Sequence, residues 1–316
     1  MHTFEQTVII LSWLVYHILI YPASLLPLRV MYLFTDFFYL LLITVIPYRQ
    51  KVVRKNIDKS FPEMSTTEKR KLERKFYRHL CDLLAEGAKN LSISEKQLRK
   101  RFKVSNPEIL DELYAQNKSV LLISGHYNNW EWLITGQNLF FKHQAVGIGM
   151  PLSSGFWDKK LNERRSRFGM KIIHSKIVHD FFSKNTETTA TLVLADQSPG
   201  DSKKSYWMDF LNQKTAVVFG PEMLANQYDQ AAVFFHIEKV KRGYYKMHLQ
   251  EITKNPSEEH WGAITETHTK MLEKVIREKP QYWIWSHKRW KREVPEDLNK
   301  LKEEQKDNFQ KKFRSS

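Results

Sequence analysis

The fold this sequence predicts is an α/β domain with a mostly parallel central sheet, flanked by helices and preceded by a membrane-anchor helix. Three observations predict it. A long run without charge opens the chain. Beyond Asn106-Pro107, short β-rich apolar runs alternate with stretches of ten or more residues of helical or loop character. Those runs are continuously apolar, as in strands covered on both faces, which is the habit of parallel sheets.

Composition bounds the partners. The 316 residues suffice for one large core with an appendage, or for two small domains. A net charge of +15 calls for an anionic partner: nucleic acid, an anionic membrane face or an acidic protein. Cys81 is the single cysteine, so no disulfide framework or four-cysteine zinc site exists, which fits a reducing, cytoplasm-facing location. An aromatic content of 13% suits a protein that meets lipid.

Residues 1–48 read as a membrane anchor followed by an interfacial helix. From Gln6 to Leu28 no Asp, Glu, Lys or Arg occurs, enough to cross a hydrocarbon core of about 30 Å. No basic segment precedes the run and no A-x-A site follows it, which argues against a cleaved signal peptide. A second apolar stretch, Val30 to Pro47, is interrupted by Asp36. It is either a second span or a helix lying at the interface or on the core. Arg49, Lys51, Arg54, Lys55 and Lys59 follow, and their bias places this end in the cytoplasm. Residues 49–105 form a helical basic segment. Ser65-Thr66-Thr67-Glu68 is a capping box opening a helix to about Asn90, and Ser94-Glu95-Lys96-Gln97 opens another. Residues 106–295 carry the α/β domain, with strands expected at 119–124, 145–149, 170–173, 190–195 and 232–237 and an amphipathic helix from Ser257 to Lys279, stopped by Pro280. A charged tail, 296–316, is frayed or a solvated helix. Cys81, among Leu80, Leu83 and Leu84, reads as packing.

The stretch "SGHYNNWEW", 124–132, holds the candidate chemistry. The H-x4-[DE] spacing alone is weak. With 12 histidines and 35 acids in 316 residues, chance gives about one match, and there are two. His268 and Glu273 lie inside the 257–279 helix, where five residues turn the side chains to different faces, so that pair reads as surface decoration. His126 differs because Gly125 and a buried strand precede it. It sits in the strand-to-helix turn, at the carboxyl end where open α/β sheets place their sites, and can fold back towards Glu131. A carboxylate on one ring nitrogen fixes the tautomer and leaves the other nitrogen as a base. The competing reading is a buried histidine satisfied by an acid, without chemistry.

Several blocks resemble, in order, the late acyltransferases of lipid A biosynthesis, within the wider H-x4-D/E glycerolipid acyltransferases. They are "RKNIDKSFPEMSTTEKRKLERKFYRHLCDLLAE" at 54–86, "SGHYNNWEW", "WDKKLNERRSRFGMKII" at 157–173, "LVLADQSP" at 192–199, "AVVFGPEMLA" at 216–225 and "PQYWIWSHKRWK" at 280–291. The resemblance implies a glycerolipid-acyltransferase-like fold. It also implies transfer of an acyl chain from an acyl carrier protein thioester to a hydroxyl of a lipid A precursor at the bacterial inner membrane. On it, His126 is the general base and Glu131 its orienting partner. Arg165 and Asp196 match the family's functional arginine and aspartate, either bracing each other or holding a phosphate and orienting the acceptor. Gln197 is a site-lining amide, and the amides after Gly125 are candidate oxyanion donors. Asn128-Asn129-Trp130, between His126 and Glu131, departs from relatives that are apolar there.

In "WIWSHKRWKR", Trp285, Arg289, Trp290 and Lys291 are expected to meet lipid headgroups, since tryptophans and cations interleave beside an anchor. There is no G-x-S-x-G elbow for an acyl-serine, and His174 and His179 have no third ligand nearby. No metal or cofactor is needed for direct transfer. The expected partners are the carrier protein, a phosphorylated glycolipid or lysolipid acceptor and the anionic membrane surface, with no nucleic acid. A lysophospholipid, aminolipid or other glycolipid is the alternative acceptor. The alternative outside enzymology is a membrane-tethered nucleic-acid binder, which would leave the ordered blocks as coincidence.

Overall fold

The structure, a computed structural model, describes residues 2–314; Met1, Ser315 and Ser316, the extreme ends of the expected anchor and tail, lie outside them. Helix α1 (His2–Leu14) continues through a π-helical turn (Val15–Ile20) into α2 (Tyr21–Leu25). Pro22 in the first turn of α2 supplies no N–H and would crowd the carbonyl one turn back, and the wider turn ahead of it relieves that clash. Gln6–Leu25 is, among the described residues, the helix long and apolar enough to cross a bilayer, with a mean hydropathy of 1.9 over its best window. Tyr16 is its buried aromatic, edge-on to Phe156 and Trp157.

Helix α3 (Leu28–Thr44) answers the question of the second apolar stretch. Its Leu28, Met31, Tyr32 and Leu42 face are buried in the protein, while Leu33, Phe34, Phe37 and Leu40 on the opposite face stay 53–69% exposed. Asp36 lies on the protein side, paired with Arg242 and Arg78. A helix committed along one face to a polar body is not surrounded by lipid. Helix α4 (Gln50–Ser60) follows, then α5 (Thr66–Lys89) and α6 (Glu95–Arg101), both opened by the expected capping boxes. Cys81 is buried in α5.

The remaining elements, in chain order, are β1 (Phe102–Val104), α7 (Glu108–Ala115), β2 (Val120–Ser124), α8 (Trp130–Phe140), β3 (Gln144–Gly149), α9 (Gly155–Arg165), β4 (Lys171–His174), α10 (Val178–Lys184), β5 (Thr189–Leu194), β6 (Tyr206–Phe210), β7 (Gln213–Val217), α11 (Gly220–Gln227), β8 (Ala231–Lys241), β9 (Tyr244–Thr253), α12 (Ala263–Glu278) and α13 (Leu298–Phe313). The sheet order is β1-β9-β8-β2-β5-β3-β4, with every neighbouring pair parallel except β8–β9. The five expected strands all lie in it. Strands β1 and β9 and the separate β6–β7 hairpin were not anticipated, because their alternating or charged sequences lack a continuous apolar run. The expected 257–279 helix starts later, at Ala263, after a 3₁₀ turn at Pro256–Glu258. The tail takes the solvated-helix form, capped by Asp297 and tacked down by buried Phe309.

Strand β2 is covered on both faces. Val120 and Leu122 pack with Trp132 and Leu133 of α8, while Leu121 and Ile123 pack with Ala225 of α11 and Ile264 of α12. Full burial of each such aliphatic chain contributes about 1.5–3 kcal/mol. Strands β2 and β5 lie side by side within this core. From there the chain leaves β2 for β3 and leaves β5 for β8, in opposite directions along the sheet.

Candidate active site

Ser124 ends β2, and the next five residues make a tight turn before α8. The Tyr127 amide donates to the Gly125 carbonyl at 2.8 Å. Asn128 takes a left-handed φ of 56°, a conformation asparagine tolerates better than most residues. It is held there by its amide, which donates to Tyr282 O at 3.0 Å, and by its side chain, which donates to Ile237 O at 2.6 Å. Asn129 caps α8 by accepting from the Trp132 amide at 3.0 Å.

This turn delivers His126 to Asp196, which lies just past the end of β5. Because Ser124 pairs with Leu194 in the parallel ladder, the residues two beyond each strand end stand level. His126 Nδ1 lies 2.6 Å from Asp196 Oδ1, the His126 amide donates to Oδ2 at 2.8 Å, and Trp283 Nε1 donates to the same oxygen at 2.7 Å. Burial pushes the Asp196 carboxyl up, but the His126 charge and these three hydrogen bonds outweigh it and hold the group at about 2. An ionised carboxylate can only accept, so the imidazole proton sits on Nδ1 and the Nε2 lone pair is left for chemistry. The Gln197 amide nitrogen stands 3.2 Å from that Nε2, and the Trp130 ring meets the imidazole edge-on at 5.0 Å between centroids. At Gly125 a Cβ would come within 2.8 Å of the Asp196 carboxyl carbon and 2.7 Å of Leu272 Cδ2, so a side chain here would displace Asp196 or Leu272.

Glu131 is elsewhere. It sits in the first turn of α8 and forms ion pairs with two arginines of α9: Arg165 Nη2 reaches Oε1 at 2.5 Å, and Arg164 Nη2 bonds Oε2. Burial raises its carboxyl, and the two guanidinium charges bring it net below its ordinary range. His126 therefore meets Asp196 in place of the expected Glu131, and Arg165 pairs with Glu131, so of the two readings of Arg165 and Asp196 the one in which they brace each other is not formed. Once α8 is regular, its first turn carries residue 131 away from His126, which Asp196 holds through both the ring and the backbone amide.

Three of the expected oxyanion donors are also spent. The amides of His126, Tyr127 and Asn128 each donate within the protein, to Asp196, Gly125 and Tyr282. In the 283–292 stretch, Trp285 and Arg289 are buried at 0% and 3% exposure and meet no surface, which corrects the headgroup expectation for both. Trp285 Nε1 donates to Pro280 O at 2.6 Å, and burial pushes the Arg289 guanidinium down to about 10 against the pull of Asp196. Trp290 is half-buried, donating to Thr215 Oγ1 at 2.8 Å, and Lys291 is exposed; both line a recess. The reason is chain direction: Asn56 donates to Trp285 O at 2.8 Å and His287 O at 2.9 Å, which pins the segment under α4 and turns alternate side chains inward. His268 is likewise no decoration. It is buried in α12 on the Asp196 side, and burial lowers it to about 4, while Glu273 pairs with Arg277 on the outer face.

Sequence reasoning missed Trp283 and Arg164. Trp283 lies in the 280–291 block, whose interleaved tryptophans and cations point to lipid, and Arg164 lies beside Arg165 in the 157–173 block with nothing local to mark its partner. Among the described residues the arrangement offers an ionised carboxylate, an oriented imidazole with a free nitrogen, and a neighbouring carboxylate–diguanidinium cluster. Those are the parts of a base that activates a hydroxyl near anionic groups.

Residues 2–292 match the family model described as bacterial lipid A biosynthesis acyltransferase. The lipid A biosynthesis palmitoleoyltransferase of Escherichia coli (strain K12) is 22% identical over 247 residues, covering 77% of this chain and 79% of the relative. The lipid A biosynthesis lauroyltransferase of the same organism is 21% identical over 244 residues, with the same coverage. A lipid A biosynthesis acyltransferase of Shigella flexneri is 22% identical over 247 residues.

Proposed function

Because the chain belongs to the bacterial lipid A biosynthesis acyltransferases, we propose that it moves a fatty acyl chain from an acyl carrier protein thioester to a hydroxyl of a lipid A precursor, with His126 as general base and Asp196 as the carboxylate that orients it. The observation that carries this reading is the His126–Asp196 couple at the carboxyl edge of β2 and β5. As the acceptor hydroxyl attacks the thioester carbonyl, its proton passes to His126 Nε2, where the Gln197 amide now points. A C–O bond forms, the tetrahedral oxyanion collapses, the C–S bond breaks, and the thiolate leaves with the proton returned by the imidazolium. Asp196 keeps its negative charge throughout and stabilises that imidazolium. Glu131 acts one step back: it holds Arg164 and Arg165 together, and the outer edge of Arg165 is positioned for a substrate phosphate.

The anchor and the α3 stripe support a setting at the bacterial inner membrane with the α/β body facing the cytoplasm. The net charge of +15 suits both an acidic carrier protein and a phosphorylated glycolipid. The test incubates membranes with acyl-carrier thioester and a lipid A precursor, comparing wild type with His126→Ala. Loss of acyl transfer is expected, and full activity in the variant sinks the mechanism. Lipid A from a deletion strain lacking one acyl chain supports the acceptor; unchanged lipid A removes it.

A further inference from the structure

Helix α4 begins where the membrane-facing stretch stops. Val45, Ile46 and Tyr48, just after α3, are 44–70% exposed, and Arg49 starts the turn into α4. Along one face of α4 stand Lys51, Lys55 and Lys59, four residues apart and therefore stacked one turn above another. Asn56, on the adjoining inward face, ties this helix to the 285–287 backbone, and so brings Lys288 and Lys291 opposite the lysine row. Together with the half-buried ring of Trp290 they enclose a recess of about 300 Å³.

All five lysines are exposed, and none makes an ion pair among the described residues. Some cations elsewhere do have an acidic partner. Arg99 has Glu95, Lys69 has Asp58, and Lys270 has Glu266. Five like charges turned onto one small concavity repel one another, and an anion entering it removes that repulsion. The Trp290 indole gives the recess an apolar wall, as an interfacial aromatic does at headgroup level. The recess is also separate from the couple: Trp290 packs on Trp283 at 6.0 Å between centroids, and Trp283 alone reaches Asp196.

We propose that this recess binds the phosphate headgroup of an anionic membrane lipid, seating α4 and the 287–291 segment on the membrane surface. The choice of a lipid over a soluble anion rests on its position, directly after the exposed apolar end of α3. Cations next to a membrane-inserted segment are attracted to anionic headgroups, each worth about a fivefold gain in binding. The inference uses the membrane setting proposed above but not the roles of His126 and Asp196, so it survives if that catalytic assignment fails.

The test uses the full chain in detergent micelles, titrated with short-chain phosphatidylglycerol, phosphatidylcholine, inorganic phosphate or acyl carrier protein, with bound lipid read by native mass spectrometry. Wild type is expected to retain phosphatidylglycerol over phosphatidylcholine, with a preference that falls as salt rises. The triple variant Lys51→Gln, Lys55→Gln, Lys59→Gln is expected to lose about a hundredfold in that affinity, and the triple Lys→Arg variant to keep it. Equal retention of both lipids, or an unchanged Gln variant, overturns the proposal. Inorganic phosphate saturating the site as tightly as the lipid assigns it to a free anion instead. Carrier protein whose binding the Gln variant abolishes, with lipid preference intact, assigns it to that protein. A His126→Ala protein that keeps the lipid preference separates this site from the reaction.

Discussion

In the proposed reaction a single proton on His126 decides the chemistry. Asp196 accepts from Nδ1 and keeps Nε2 unprotonated, so Asp196→Asn, which can donate to Nδ1, should favour the other tautomer and lower kcat by on the order of 10³–10⁴. Glu131→Gln leaves that tautomer alone. It should instead cost about 1–3 kcal/mol of stability by removing the counter-charge of Arg164 and Arg165, with a smaller fall in kcat. Parallel kinetics and thermal melts of the two variants check this, and equal kcat losses would argue against Asp196 as the orienting group. The pH dependence has a definite sign. With its carboxyl held at about 2, below the ordinary 3.8, Asp196 contributes stability that is complete above the ordinary value and fades as pH falls towards 2. Acid unfolding between those values should therefore be steeper in wild type than in Asp196→Asn. Gly125→Ala tests the close approach: a methyl 2.8 Å from the Asp196 carboxyl carbon must push that group off the imidazole. An activity loss at least tenfold, with about 1–3 kcal/mol of destabilisation, is expected from assays and urea unfolding of the variant.

Helices and strands carry these residues by different logics. The parallel pairing of β2 with β5 sets His126 level with Asp196, and the 280–291 segment closes the third side through Trp283 Nε1. Trp283→Phe keeps most of the packing and removes the donor. It should lower kcat about tenfold, from the loss of about 1.5 kcal/mol of charge-assisted hydrogen bonding, while KM stays near wild type. Helix α3 works by its two faces. Replacing exposed Phe34 and Phe37 with serine leaves the buried face intact, so the melting temperature should hold while vesicle association of the full chain weakens. Sedimentation with vesicles measures it, and unchanged association would remove α3 from the membrane contact. Here the residue pattern was legible in part. An apolar helix with Asp36 inside it was visible, but the partner that satisfies Asp36, Arg242, lies over two hundred residues away.

For the whole molecule, burial of histidine sets the response to acid. Desolvation holds His79, His143, His236, His268 and His287 below their ordinary 6.5, with His236 and His268 at about 4. In the unfolded chain each takes up a proton near 6.5, so between about 6.5 and 4 the unfolded state binds more protons and stability falls as pH falls. The melting temperature should decline across that window, and less so in His268→Gln; a flat profile would contradict the burial.

What the residue order determined by itself is local. The charge-free run sets a helix long and apolar enough to cross a bilayer, two capping boxes set helix starts, and the apolar runs of β2, β3, β4, β5 and β8 set strands, because each depends only on neighbours in the chain. It also placed His126 in a turn after Gly125, and the order of the blocks pointed to the family that the match over residues 2–292 establishes. Which carboxylate His126 meets was decided only in three dimensions. The near neighbour Glu131 is turned away once α8 becomes regular. Asp196, seventy residues on, arrives because Ser124 and Leu194 are partners in the ladder. The burial of Trp285 and Arg289 has the same origin: their composition matches a membrane surface, but the 285–287 backbone is hydrogen-bonded to α4, and that contact decides which side chains face inward.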